Sequence, residues 1–370
     1  MSTIRYTPDD GDRRTSRRAF LAAGGSAIGL LVLGAAATTT IPRPGGAVAT
    51  AAGPAERLRL GFFANLTHAP ALVGTGDGIF AEVLGAQGTT IEEHVFNAGP
   101  AAVEALNAGA IDAAYLGPNP AISAYVSSAG TGIRILAGAA AGGAQLVVRR
   151  GLDSPEALRG ATLGTPQLGG TQDVALRTWL TENGLDVDVR GGAVSITPTG
   201  NAQTFELFRS GQLDGAWLPE PWASRLVLEA DAVVLVDEAE LWDGSETGQA
   251  GLFPTTVLAV GQEFAARHPE TVESLVAAHV RALTWINGTS RGELLPILDR
   301  RLTETAGAGL DDAVMERALD HLTFTSDPLS GAFPRLLQAG VDAGVTEPGD
   351  LTGLVDESVL RSVLERGVGA

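Results

Sequence analysis

The sequence predicts an α/β fold made of two similar lobes, and three observations carry that prediction. From about residue 58, short apolar runs alternate with helical patterns, the order expected of an α/β protein. Near residue 145 the alternation starts afresh. Within the second cycle, Glu206, Gly211, Asp214, Ala216, Leu218 and Ala223 repeat Glu104, Gly109, Asp112, Ala114, Leu116 and Ala121 without a gap, and at the same spacing Asn65-Leu66-Thr67-His68 falls on Gln167-Leu168-Gly169-Gly170. Two such copies are too few and too long for a solenoid of stacked repeats, and suit two lobes instead.

In the first cycle, strands are expected at 58–63, 90–95, 113–116 and 134–139. Helices at 69–73, 100–108 and 120–127 lie between them, each entered through Gly, Pro, Asn or Thr. The second cycle places strands at 145–148, 161–164, 194–197, 215–218 and 232–236, with helices at 171–183, 202–210 and 221–228. A further strand at 255–261 opens a tail that is otherwise helical, at 269–287, 292–306, 311–322, 332–343 and 356–366. Such a tail must pack on a lobe already formed, most simply the first. The chain then crosses between lobes twice, giving a first lobe from 53–142 and 255–370 and a second from 143–254.

Residues 1–52 read as a segment for export. Arg13, Arg14, Arg17 and Arg18 precede an apolar, uncharged run at 20–37, the charge-then-hydrophobic order of a signal peptide. Gly24, Gly25, Gly29 and Gly34 make that run a poor membrane-spanning helix. The stretch Ser16-Arg17-Arg18-Ala19-Phe20-Leu21 resembles the twin-arginine export motif. Cleavage is expected after Ala37 or near Ala49, and an uncleaved signal would leave the protein at the outer face of the membrane.

Composition removes several functional classes. The 370 residues carry 25 basic against 43 acidic groups, a formal charge of -18, and cutting away 1–52 makes the remainder more acidic still, at -21. Nucleic acid and anionic membrane surfaces are therefore poor partners, because both are bound through basic patches. No cysteine is present, which excludes disulfides, a thiolate nucleophile, a Cys-ligated metal site and lipid attachment through cysteine. Every basic residue is Arg, so Schiff-base and P-loop lysine chemistry are absent too. No HExxH, facial-triad or Ser-His-Asp spacing is evident, and neither metal nor cofactor is expected.

What falls between strand and helix in each lobe is a turn rich in Gly, Asn, Thr and Pro. These turns leave the first N–H groups of the next helix unpaired, and with the helix dipole they make an anion site. They occur at 65–68, 97–100 and 117–120 in the first lobe and at 167–172, 199–201 and 218–222 in the second. Because ligands of open α/β sheets sit at the carboxyl ends of strands, two facing lobes would gather the turns around one cleft.

The segments 61–72, 117–121, 165–177 and 211–225 closely resemble solute-binding proteins of ABC importers for aliphatic sulfonates, in the group that also serves nitrate, bicarbonate and taurine. The likeness runs from about Leu58 to about Val280 and weakens in the helical tail. It implies the type II periplasmic-binding fold, two α/β lobes joined by two hinge strands. It also implies a small oxyanion gripped in the cleft and handed to permease subunits, with no catalysis. Members of that family often carry a lipobox cysteine or a Sec signal, and this chain has neither. An aromatic sulfinate desulfinase on the same fold uses a cysteine nucleophile, a mechanism closed to this chain.

Carried over residue by residue, the resemblance implies ligand contacts from Asn65, Thr67 and His68, from Gly99, from Pro118 and Asn119, from Gln167, Gly170, Thr171 and Gln172, and from Trp217, Glu220 and Trp222. Their own chemistry leaves alternatives open. His68 either donates to an oxyanion or hydrogen-bonds a neighbouring loop. Thr171 and Gln172 add donors to helix amides or simply cap them. Trp217 and Trp222 could wall in an alkyl chain, with Glu220 accepting from an ammonium, although for Trp222 plain core packing is equally open. Asp112 and Asp214 follow a Gly turn and read as turn residues. His268, His279 and His321 sit singly in the tail and read as structural or surface residues.

Overall fold

The protein is described here from a computed structural model of the chain, which covers residues 52–185, 187 and 192–367. All of the predicted export segment except Ala52 lies outside the described residues.

Along the chain the first cycle gives β1 (Arg57–Phe63), α1 (Ala69–Gly76), α2 (Ile79–Gly85), β2 (Thr90–Phe96), α3 (Gly99–Asn107), β3 (Ala113–Leu116), α4 (Pro118–Ser127) and β4 (Ile133–Gly142). The second gives β5 (Ala144–Val148), β6 (Thr162–Thr165), α5 (Thr171–Glu182), β7 (Ser195–Pro198), α6 (Asn201–Arg209), β8 (Gly215–Pro219), α7 (Trp222–Glu229) and β9 (Val233–Asp237). After them come β10 (Pro254–Gly261), α8 (Gln262–Arg267), α9 (Pro269–Gly288), α10 (Arg291–Ala306), α11 (Asp312–Asp320), β11 (Leu322–Thr323), α12 (Phe333–Asp342) and α13 (Ser358–Glu365). Every strand expected from the sequence is present within a residue or two at its start, though β4 extends further than expected. The sequence reading misses α2, α8 and β11.

The strands form two sheets with one plan. The first runs β2-β1-β3-β10-β4-β11 and the second β7-β6-β8-β5-β9. In each, the first strand lies between the second and third, parallel to both, and one antiparallel strand enters between the third and fourth. That inserted strand is β10 in the first sheet and β5 in the second. The chain passes from one sheet to the other through Gly143, between β4 and β5, and returns through 238–253 into β10. The two crossings touch: Gly142 N–H donates to Phe253 O at 3.0 Å, and the Thr255 hydroxyl donates to Gly142 O.

The sequence echo has a structural counterpart. Asp112 exchanges backbone and side-chain bonds with Arg59: its N–H donates to Arg59 O at 2.9 Å and its carboxylate accepts from Arg59 N–H at 2.8 Å. Asp214 does the same with Thr162, at 2.8 Å in both directions. Each aspartate therefore ties the third strand of its sheet to the first. The turns leading to them hold Gly109 at φ 64° and Gly211 at φ 80°, left-handed conformations that a side chain disfavours.

Alternation along β1 sends Leu58, Leu60 and Phe62 into a core under α1, α2, α9, α10 and α13, and turns Phe63 to the opposite core. That second core continues through Leu116, Ile135 and Val257 to Leu146, Leu163 and Trp217, so residues of both sheets share it. A third, smaller core lies beneath α6 and α7. Each fully buried Leu or Phe in these cores stabilises the fold by about 2 kcal/mol.

Candidate functional site

The carboxyl ends of the parallel strands in both sheets converge on one cavity of about 40 Å³. Residues from five helix N-terminal regions line it: Asn65, Thr67 and His68 before α1, Ala98 and Gly99 at α3, Gly117 and Pro120 at α4, Gly170, Thr171 and Gln172 at α5, and Asn201 at α6. None of these five helices has a side-chain cap hydrogen bond, so the first-turn N–H groups keep their donor capacity except where Pro70, Pro100, Pro118 and Pro120 supply none and where Ala69 and Asp173 donate to Leu66 O and Gly170 O. Asn97, Thr255 and Thr256 complete the polar lining.

Among the described residues, none that lines the cavity is Asp, Glu or Arg. It does contain buried polar atoms without a protein partner: the hydroxyls of Thr171 and Thr256 and Oδ1 of Asn201. Three such groups around one small cavity are costly unless something polar occupies it, since an unsatisfied buried polar group costs about 1–3 kcal/mol.

His68 lies against Phe63, ring centroids 4.3 Å apart, and its Nδ1 accepts from Phe63 N–H at 3.3 Å. Burial pushes the imidazole down to about 3, so the ring is neutral. With Nδ1 accepting, the proton resides on Nε2, which makes that nitrogen a donor. Asn65 is oriented similarly. Its Oδ1 accepts from Trp222 Nε1 at 2.9 Å, across from the other lobe, which leaves Nδ2 as its free, donating end. The cavity can thus present neutral donors from side chains and helix amides to a small anion.

Seven of the residues singled out from the sequence meet here: Asn65, Thr67, His68, Gly99, Gly170, Thr171 and Gln172. Six do not line the cavity. Trp222 reaches it only through Asn65. Pro118 is buried in the first turn of α4, and Gln167, whose carbonyl accepts from Gly170 N–H at 3.0 Å, belongs to the turn behind α5. Asn119, one position further round α4, donates from Nδ2 to Leu336 O at 3.0 Å. Trp217 sits mid-strand in the shared core, its Nε1 donating to Glu238 Oε2 at 2.8 Å. Glu220, fully buried, binds the protein itself and not the cavity: Oε1 accepts from Arg317 at 3.2 Å and Oε2 from Ser224 N–H at 3.0 Å.

Arg317, on α11, also donates to the Ser224 hydroxyl at 2.7 Å and to Gln145 Oε1 at 2.9 Å. Gln145 donates to Asp237, which pairs with His321 at 3.2 Å and holds its imidazole above the ordinary value. His321 is thus part of a charged joint between α11 and the second sheet. The other tail histidines are structural: His279 bridges Tyr115 and Gly138, and His268 bonds Gly53.

Residues that the ligand-contact reading omits are Asn97, Asn201, Thr255 and Thr256. Asn97 and Asn201 lie in turns already marked by composition, whereas a Thr pair opening an apolar run signals only a strand.

The chain belongs to the NMT1-like family. The family's model matches residues 51–294. Over 217 residues the chain is 28% identical to the taurine-binding periplasmic protein of Escherichia coli K12, an alignment covering 58% of this chain and 62% of that protein. The chain thus spans less than two thirds of that relative's length. Among solved structures, the alkanesulfonate-binding protein SsuA from Xanthomonas axonopodis pv. citri, bound to MOPS, superposes with a TM-score of 0.65 at 20% identity, covering 82% of this chain and 99% of the other. The periplasmic nitrate-binding protein NrtA from Synechocystis PCC 6803 gives 0.70 at 16% identity, covering 84% and 89%. At these identities the likeness is one of fold, and the fold is that of periplasmic binding proteins, two α/β lobes with a cleft between them. Among the described residues, no helix is long and apolar enough to cross a membrane.

Proposed function

We propose that this chain is the extracytoplasmic solute-binding component of an ABC importer, that it holds an organosulfonate by its oxyanion head in the cleft, and that it delivers the solute to permease subunits without chemistry. The observation that carries this reading is the uncharged cavity at five helix N-termini, with three buried polar atoms left unpaired. One water needs roughly 10–15 Å³ of such space. A cavity of about 40 Å³ therefore suits a sulfonate head, a nitrate or a bicarbonate, and not a large aromatic ligand.

The contacts would come from Asn65, Thr67, His68, Gly99, Gly170, Thr171 and Gln172, joined by Asn97, Asn201, Thr255 and Thr256. The lobes would be 53–142 with 255–370, and 143–254, closing on the anion through the crossings at Gly143 and 238–253. Export through the twin-arginine route follows from the Arg17-Arg18 motif. The printed functions of the relatives, taurine, alkanesulfonate and nitrate binding, support an oxyanion ligand and leave nitrate as the second reading.

A thermal-shift panel of alkanesulfonates, taurine, sulfate, nitrate and bicarbonate tests the ligand. A bound ligand at a hundred times its Kd stabilises the fold by about 2.7 kcal/mol, a readily measured rise in melting temperature. A shift with nitrate and none with any sulfonate overturns the first choice. Chemical change of a bound solute on prolonged incubation overturns the binding-only role.

A further inference from the structure

α4 belongs to the first lobe and α5 to the second, and their N-terminal ends meet at the cavity. Gly117 stands immediately before α4, and Thr171, the first residue of α5, comes against it from the other side. Gly117 has φ -70° and ψ 155°, extended values open to any residue, so its backbone gives no reason for a glycine. The reason is space. A Cβ on Gly117 would overlap the Thr171 hydroxyl, whereas Thr171 Cβ would lie 3.4 Å from it and Pro120 Cδ 3.7 Å, both ordinary contacts. Among the described residues, one oxygen atom of the opposite lobe is therefore what excludes a side chain at 117.

Other crowded glycines differ in this respect. Gly61 is hemmed in by Ile111 and Phe96, and Gly164 by Thr204 and Leu213, each within its own lobe. Those contacts persist whether the lobes are together or apart. The contact of Thr171 with Gly117 exists only when they are together. Thr171 has little freedom to turn aside, being β-branched and buried, and its hydroxyl has no protein partner to hold it elsewhere. The approach also brings two positive helix ends towards one another, which an anion between them favours and an empty cleft opposes.

We propose that Gly117 is the closure gate of the cleft: having no side chain, it lets Thr171 seat against the start of α4, and the anion-binding form is reached only through that contact. The proposal rests on the reading that the two lobes close on a small anion. A side chain at 117 would hold α4 and α5 apart and leave the donors of the cavity divided between the lobes. Gly117 thus acts on affinity through the closed population, and not through a side-chain contact with the ligand.

Calorimetry on the full chain with methanesulfonate, taurine and nitrate, together with melting of the ligand-free protein, tests this. Gly117→Ala should weaken binding of whichever of these solutes the unaltered protein takes by about 100-fold, the closed population falling to about a hundredth. The ligand-free melting temperature should not change. In a Thr171→Ala background, itself weaker, the same substitution should cost less than about threefold, because the obstructing oxygen is gone. A ligand-free melting temperature lowered by Gly117→Ala, or failure of that variant to fold, makes the glycine a packing residue and overturns the gate. So does an unchanged affinity, or an equal loss in both backgrounds. Each of these results leaves solute binding by the unaltered protein intact. If the unaltered protein binds none of the three solutes, the functional reading falls and the gate falls with it.

Discussion

Around Thr171 the lobes meet through uncharged groups, several with no protein partner, whereas around Glu220 they meet through Arg317, Gln145, Asp237 and His321, each of which is paired. Both regions are polar, and the second is partly exposed at Arg317, Asp237 and His321. The difference is in what completes them. A buried charge cannot wait for a ligand, because leaving it alone costs several kcal/mol, so charges at the joint must be satisfied by the protein itself. Neutral hydroxyls and amides can be left open at smaller cost, and a ligand then satisfies them on arrival. Missing partners, and not the number of polar residues, distinguish the proposed binding region.

The largest expected effect falls on the paired side. Arg317→Ala leaves Glu220 buried without its cation and should lower unfolding stability by about 2–3 kcal/mol in urea titrations. An unchanged midpoint would make the joint ornamental. On the open side, His68→Phe keeps the ring volume and removes the Nε2 donor. Ligand affinity should fall about 10- to 100-fold, with a stability loss of about 1–3 kcal/mol from the Phe63 N–H left unpaired. The reverse pattern would break the contrast.

The two regions should also respond oppositely to pH. His68 and His279 are held neutral at about 3 and about 4, so the unfolded chain takes up protons that the folded one refuses as pH falls below about 6.5. Their effect is a stability that rises between pH 4 and 6.5, with no proton-linked change in affinity from His68 between pH 5 and 8. His321 is held above its ordinary value by Asp237, so its contribution is complete below the unfolded value and disappears as pH rises through the folded one. His321→Gln should remove that alkaline loss, which is under about 1 kcal/mol for a partly exposed pair. Melting temperatures from pH 5 to 9 separate the two signs. On ligand binding the smallest effect is expected of Trp222→Phe, which releases Asn65 and should weaken binding by about 1 kcal/mol, roughly fivefold, in a calorimetric titration.

The fold was legible because its rules are local. Strand runs of four to seven apolar residues and helix starts at Gly or Pro appear directly in the sequence, and the echo around Asp112 and Asp214 pointed to a repeated plan. α2 escaped because Gly74, Gly76 and Gly78 interrupt the helical pattern before it, and α8 because it is one short turn-and-a-half. The cleft was legible where a turn residue lies at a strand end, as at Asn65, Thr171 and Gln172. It was not legible one residue further on. Asn119 follows Pro118 into α4 and is carried round to α12, and Trp217 lies mid-strand, where the alternation of β8 turns it inward. Glu220 could not be assigned from its neighbours, because its partner Arg317 is distant along the chain and belongs to the tail.

The placement of β10 also governs the order in which the molecule can assemble. It is the strand between β3 and β4 in the first sheet, yet ribosomes make it only after the whole second sheet. Until then β3 and β4 have no strand to join them, and the cleft lacks Thr255 and Thr256. A nascent chain stalled before residue 254 should therefore present two unfinished sheet edges, an aggregation hazard, and should depend on being held unfolded or escorted until synthesis passes the tail.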